Sequence, residues 1–218
     1  MYFASRLQAG RMLAAQLAKK YSDKNCAVLT LNDGGVMVGT QISNQLHCVL
    51  MMLLIAEIDL PREPDAIAGI TPSGELAYNQ RYSQGEIDEL AGEYHGLIEQ
   101  EKLNGMHEMN HLLGSGGVVE KDLLRGRNVI LVSDGLKTGF PLDMAAEYLK
   151  PIALEKLIVA TPLASVQAVD RMHVVADEIY CLSVIEDYMD TDHYYDMQDV
   201  PGHDQAISDV ELSILQWQ

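Results

Sequence analysis

Asn128-Val129-Ile130-Leu131-Val132 is the most strongly strand-like run in the chain, and it leads straight into Ser133-Asp134-Gly135-Leu136-Lys137-Thr138-Gly139. A strand that is apolar on both faces needs helices above and below it, which is the situation of a parallel sheet. A glycine-bearing turn followed by a helix is the unit from which such sheets are built. The same order recurs along the chain. Ser5 to Tyr21 carries Leu7, Met12, Leu13, Leu17 and Ala18 at the spacing of one helix face. Ala27 to Leu31 is a β-rich run that ends at Asn32-Asp33-Gly34-Gly35, and Val36 to Leu46 then reads as helix. A second buried strand lies within Val49 to Ile58 and is closed by Pro61-Arg62-Glu63-Pro64.

Ala66 to Ile70 and the stretch around Leu76 to Tyr78 read as short strands or a hairpin across Pro72-Ser73-Gly74. Glu86 to Leu113 has the spacing of a long or broken helix, weakened at Gly105, and Gly114-Ser115-Gly116-Gly117 follows as a flexible connection. After Pro141 a helix runs to about Leu149; then come a strand at Lys156 to Ala160, a helix near Ser165 to His173 and a strand at Glu178 to Leu182. Strands alternating with helices imply right-handed crossovers and a mostly parallel α/β sheet flanked by helices. At 218 residues this is one domain.

Charge narrows the ligand classes. The formal net charge is −17, and the Lys and Arg residues number only 15 and are scattered, which excludes the clustered cations that hold a nucleic-acid backbone. A bound phosphate must then be held locally, by backbone N–H groups, a helix N-terminus or Mg²⁺. Cys26, Cys48 and Cys181 form no C-x-x-C pair and read as buried, reduced thiols, as in a cytoplasmic protein. The amino-terminal stretch lacks an apolar export segment, and the apolar run Cys48 to Ala56 is too short to span a membrane. No membrane partner is expected.

In open α/β sheets ligands sit beyond the carboxyl ends of the strands, so Ser133 to Gly139 is the foremost candidate site. An acid directly after a strand can accept from sugar hydroxyls, while Thr-Gly at the next helix start offers a hydroxyl and N–H groups to phosphate. A capped βα turn with no ligand uses the same residues.

The segment Val129 to Gly139 resembles the phosphoribosyl-diphosphate (PRPP) motif of type I phosphoribosyltransferases: an apolar strand, two acids, then a turn ending Thr-Gly-x-Thr. The chain also resembles a bacterial group of predicted phosphoribosyltransferases. Their opening Phe-x-x-Arg-x-x-Ala-Gly helix is matched by Phe3, Arg6, Ala9 and Gly10. Their Gly-Gly-Val turn is matched by Gly34-Gly35-Val36, and a late Tyr-x-Asp element loosely by Tyr194-Tyr195-Asp196-Met197. The resemblance implies a type I phosphoribosyltransferase fold in which residues about 80–117 form a hood or lid. It implies Asp134 as the catalytic ribose-hydroxyl acceptor and Lys137, Thr138 and Gly139 as the 5′-phosphate cradle, with Ser133, Gly135 and Leu136 in the same loop. Asp33, Gly34 and Gly35 would form the pyrophosphate loop. The implied ligand is PRPP or a nucleoside monophosphate, with Mg²⁺, and the implied reaction passes phosphoribosyl to a nucleobase with loss of pyrophosphate. A homodimer is the default assembly.

Three positions depart from the pattern. Ser133 stands where the first acid is usual, Pro141 where a second Thr is usual, and Asp33 where a basic residue precedes the Gly-Gly turn. A catalytically degenerate module that binds a nucleotide or ribose phosphate is therefore kept beside the transferase. Separately, His107-Glu108-Met109-Asn110-His111 matches the H-E-x-x-H pattern of zinc metalloproteases, but no convincing third ligand follows, Glu120 being no more than a candidate across a glycine-rich break. Two solvated or capping histidines are the plainer reading of that segment. The acidic, tyrosine-rich stretch Glu186 to Asp199 reads as a solvated loop with tyrosines packed on the sheet.

Overall fold

The computed structural model describes residues 2–113, 119 and 121–217. In chain order the elements are α1 (Arg6–Tyr21), β1 (Cys26–Thr30), α2 (Asp33–Leu46), β2 (Val49–Met52), β3 (Ala56–Ile58), β4 (Ala68–Ile70) and β5 (Leu76–Tyr78). The chain continues through α3 (Gln84–Glu93), α4 (His95–Leu113), α5 (Lys121–Leu124), β6 (Asn128–Val132), α6 (Phe140–Leu149), β7 (Lys156–Ser165), α7 (Val166–Val175), β8 (Glu178–Ile185) and α8 (His203–Trp217). Five strands form one parallel sheet in the order β2-β1-β6-β7-β8, and β3-β4-β5 form a separate antiparallel sheet.

Side-chain alternation sorts each central strand between two cores. Val28, Ile130 and Ile158 pack with Leu13, Leu17, Ile42 and Val210 from α1, α2 and α8. Leu29, Leu131 and Val159 pack on the other face with Leu142, Ala145, Ala168 and Met172 from α6 and α7. The helices on both faces are what allow five consecutive buried residues in β1 and in β6.

Several boundaries differ from expectation. The buried face of α1 is Arg6, Ala9, Gly10, Leu13, Ala14, Leu17 and Tyr21, so Met12 faces outward and a charged residue faces inward. Ser5 caps this helix by accepting from Gln8 N–H. The apolar run expected as one strand divides: β2 ends at Met52 and the chain leaves for the small sheet. The long helix breaks at Tyr94 rather than Gly105. A Cβ added to Gly105 would lie 2.8 Å from Ala56 Cβ, so this glycine is where α4 and β3 approach closely. Both β7 and β8 run further than expected.

From β1 the chain crosses to β2 on one side, and its next strand in this sheet, β6, lies on the other side of β1. That reversal opens a crevice beyond the carboxyl ends of β1 and β6, the place where sheets of this kind hold ligands. Among the described residues no helix is long and apolar enough to cross a membrane.

Candidate functional site

The crevice is framed by the residues that leave β1 and β6. Asn32 caps α2, its Oδ1 accepting from Gly35 N–H at 2.9 Å while its Nδ2 donates to Asp134 Oδ1 at 2.7 Å. Asp134 is buried, and its Oδ2 accepts from Arg6 Nε at 2.6 Å. Arg6 sits at the start of α1 with only 1% of its surface exposed. Its remaining arms reach Asp192 and, at 3.2 Å, Asp199, and its guanidinium lies 4.4 Å from the centre of the Tyr195 ring. The Tyr195 hydroxyl closes the cluster by donating to the Asp134 carbonyl at 2.6 Å.

Burial opposes the Arg6 charge, but Asp134, Asp192 and Asp199 outweigh it and hold the guanidinium above its ordinary pKa. Burial pushes the Asp134 carboxyl up, with Arg6 and Asn32 holding it back. A planar fork of donors suits this place, since a lysine offers a single point of charge.

Gly34 and Gly35 lie buried in the first turn of α2 and do not form an open loop. A Cβ on Gly34 would stand 2.1 Å from Asp134 Oδ2, and one on Gly35 would stand 2.6 Å from Asn32 Oδ1. Their lack of side chains makes room for Asp134 and Asn32. Asp33 pairs with His203 at 2.7 Å, bringing the N-terminus of α8 to that of α2.

The loop after β6 is fixed at its middle and open at its end. Leu136 N–H donates to Leu163 O, and Ser165 N–H donates to Leu136 O, each at 2.9 Å, stitching the loop to β7. Ser165 Oγ donates to the Lys137 carbonyl at 2.8 Å, and Ser133 Oγ donates to the Gly135 carbonyl at 2.8 Å. The backbone N–H groups of Lys137, Thr138 and Gly139 donate to no described residue, and the Lys137 side chain is exposed. The loop enters α6 at Phe140, where Pro141 sits in the first turn and its missing N–H removes no helical bond.

A cleft of about 300 Å³ lies over this loop. Asn32 and Ser133 border it beside the sheet, Gly135, Leu136, Lys137 and Thr138 form one wall, and Thr191 contributes from the late segment. The opposite wall comes from the region of the small sheet and includes Glu57, Asp59 and Asp65. Asp65 is paired with Arg81. Glu57 opens to the cleft, yet the surrounding protein, Asp59 and Asp65 raise its carboxyl above the ordinary value.

Of the residues singled out from sequence, Ser133, Gly135, Leu136, Lys137 and Thr138 line the cleft, whereas Asp33, Gly34, Gly35, Asp134 and Gly139 do not. Glu57, Asp59, Asp65 and Thr191 were not anticipated. Their only signal was polarity, which surface loops share. In the stretch Glu186 to Asp199 the tyrosines pack on the sheet as expected, Tyr194 and Tyr195 lying buried with Leu163, Leu182 and Ile185, but the stretch is not otherwise only solvated, since Asp192 and Asp199 hold Arg6. In the H-E-x-x-H segment His107 lies on α4 and is exposed. The side chains of Glu108 and His111, and Glu120 altogether, lie outside the described residues. Among those described, no three His, Cys, Asp or Glu converge as a metal site.

Comparison with known proteins bears on the family and the fold. The Phosphoribosyl transferase domain matches residues 3–196. Two Mycobacterium tuberculosis proteins, from strains H37Rv and CDC 1551, are each named provisionally as a phosphoribosyl transferase. They are 28% identical to this chain over 183 residues, covering 83% of it and 40% of their own length. The chain thus spans about two fifths of these curated relatives. The crystal structure of TT1426 from Thermus thermophilus superposes with a TM-score of 0.70 at 27% identity, covering 100% of this chain and 99% of that one. The AQ2163 protein from Aquifex aeolicus shares the fold at a TM-score of 0.50 and 14% identity, over 84% of this chain and 74% of its own.

Proposed function

Since the chain belongs to the phosphoribosyl transferase domain family, we propose that the cleft between β1 and β6 binds a phosphorylated ribose, as PRPP or a nucleoside monophosphate. The observation that carries this reading is the open end of the loop. The N–H groups of Lys137 and Thr138, both lining the cleft, have no acceptor among the described residues and stand at the threshold of α6 beside the exposed Lys137 side chain. Successive free N–H groups at a helix start favour an anion, and here they must do so against a net charge of −17. The sugar then extends over Gly135 and Ser133, toward Thr191.

Transfer from such a ligand requires displacement at C1 through a cationic sugar. The protein's task is to hold the ring, exclude water and stabilise charge. The region of the small sheet supplies a wall over the cleft, and α4, packed on β3 and β4, would serve with α3 as the hood. Mg²⁺ fits the donors present: it needs one or two carboxylates once phosphates provide other oxygens, and Glu57 and Asp59 are hard donors of that kind. Asp134 is not available for it, being engaged by Arg6 and Asn32. Bound there, the ion would neutralise charge on the departing pyrophosphate. The same engagement of Asp134, with Ser133 at the preceding position, favours a second reading in which the ligand binds without turnover.

Calorimetry with PRPP and Mg²⁺, followed by assay of pyrophosphate release with a panel of nucleobases, tests both. Binding is expected to weaken about tenfold in Lys137→Ala, the loss of one charge-assisted contact. Turnover with any base selects the transferase, and binding with no turnover selects the module. Absence of binding by the unaltered protein would remove both readings.

A further inference from the structure

Arg6 touches both sides of the cleft without lining it. Through Nε it holds Asp134, in the loop whose neighbours Ser133 and Gly135 border the ligand space. Through its terminal nitrogens it holds Asp192 and Asp199, and Asp192 directly follows Thr191, which contributes to the cleft. The two sides already meet in one place: the Thr191 hydroxyl is 3.0 Å from the Tyr188 hydroxyl, and a Cβ on Gly135 would lie 2.2 Å from that same tyrosine oxygen. Thr191 therefore rests against the loop, and the contact leaves room for nothing larger than glycine.

From this we infer that Arg6 is a positioning residue that sets the distance between the phosphate loop and the Thr191 side of the cleft, so that a sugar phosphate fits and a bare phosphate is indifferent. The inference rests on the ribose-phosphate reading above and assigns new work to two residues. Asp134 serves as the anchor of the Arg6 fork and not as a direct sugar ligand, since it is buried outside the lining of the cleft with its oxygens turned to Arg6 and Asn32. Thr191 becomes a specificity-determining contact, carried on a segment that has no covalent proximity to the loop and is held there by charge. The guanidinium geometry matters as much as its sign. A lysine at position 6 keeps one positive charge but cannot span Asp134, Asp192 and Asp199 together.

The experiment compares affinity for inorganic phosphate with affinity for ribose 5-phosphate, by calorimetry, in the unaltered protein, Arg6→Lys and Asp192→Ala. Inorganic phosphate needs only the loop, while the sugar phosphate needs both sides. The expected result is a split: phosphate affinity held within about twofold and ribose 5-phosphate affinity reduced about tenfold in both variants. Asp192→Ala leaves the buried Arg6–Asp134 pair intact and alters a side chain that is 42% exposed, so it reports even where Arg6→Lys fails to fold. A further Thr191→Val substitution is expected to cost affinity for ribose 5-phosphate in the unaltered background and nothing more in Asp192→Ala. Equal loss for both ligands would mean general damage and overturn the inference, as would no loss for either. Failure of the unaltered protein to bind any sugar phosphate would instead sink the ribose-phosphate reading, and this inference with it.

Discussion

A guanidinium withdrawn from water must find its hydrogen bonds inside the protein, and Arg6 finds them on Asp134, Asp192 and Asp199. The geometry around it dictates neighbouring residue types. Gly34 lies within a helix, where alanine is normally favoured by about 1 kcal/mol. Here the rule reverses, because a Cβ would stand 2.1 Å from Asp134 Oδ2 and drive the carboxylate off Arg6. Gly34→Ala is expected to destabilise the protein by about 1–3 kcal/mol, read as a lower urea midpoint with an unchanged slope. A neutral or stabilising effect would show that Asp134 is free to move aside. Arg6 was visible in the sequence as one letter of a family motif, but neither its burial nor its partners were. Its partner Asp134 lies 128 residues away along the chain.

Among the elements, α3 and α4 show how context decides what a glycine does. Gly92 in α3 has nothing within 4 Å of an added Cβ, so alanine there acts only on the backbone. Gly105 in α4 meets Ala56 Cβ at 2.8 Å and Ile70 Cδ1 at 3.6 Å, where the helix lies on the small sheet. Thermal unfolding is expected to show Gly92→Ala raising stability by about 0.5–1 kcal/mol and Gly105→Ala lowering it by about 1–3 kcal/mol. Equal effects would mean that α4 does not pack on β3 as described. Periodicity alone marked Gly105 as the weak point of a long or broken helix. The break instead falls at Tyr94, after α3 has started on a capping box of Ser83 and Glu86. The divided strand has a similar cause: Leu53, Leu54 and Ile55 are apolar enough for either sheet, and the crossing between sheets leaves no local mark.

At the level of the whole molecule, the amino-terminal helix and the last two strands of the sheet are joined by charge as well as by packing. Glu178 at the start of β8 accepts from Lys156 on β7 at 2.8 Å and from Lys20 on α1 at 2.5 Å. Lys156 and then Lys20 lower its carboxyl to about 2. A carboxylate whose folded pKa is depressed contributes stability that is complete above its unfolded value, near 4.5, and is lost as pH falls toward about 2. Stability measured by urea unfolding across that window is expected to fall less steeply in Glu178→Gln than in the unaltered protein; identical slopes would remove Glu178 from the account. What the sequence by itself determined was the parallel α/β class and the place of the turn that leaves β6. An apolar run bounded by a glycine turn, as at Asn128 to Gly139, reports its own burial and its own turn through near neighbours. Only the tertiary structure decided which side chains meet there. Nothing near Asp134 in the chain foretold that α1 would deliver Arg6 to it, and the wall of Glu57, Asp59 and Asp65 faces the loop only because the small sheet is placed opposite. Hydrogen bonds and ion pairs act over a few ångströms between residues far apart in the chain, so their partners are fixed by the order of crossovers and not by spacing along the sequence.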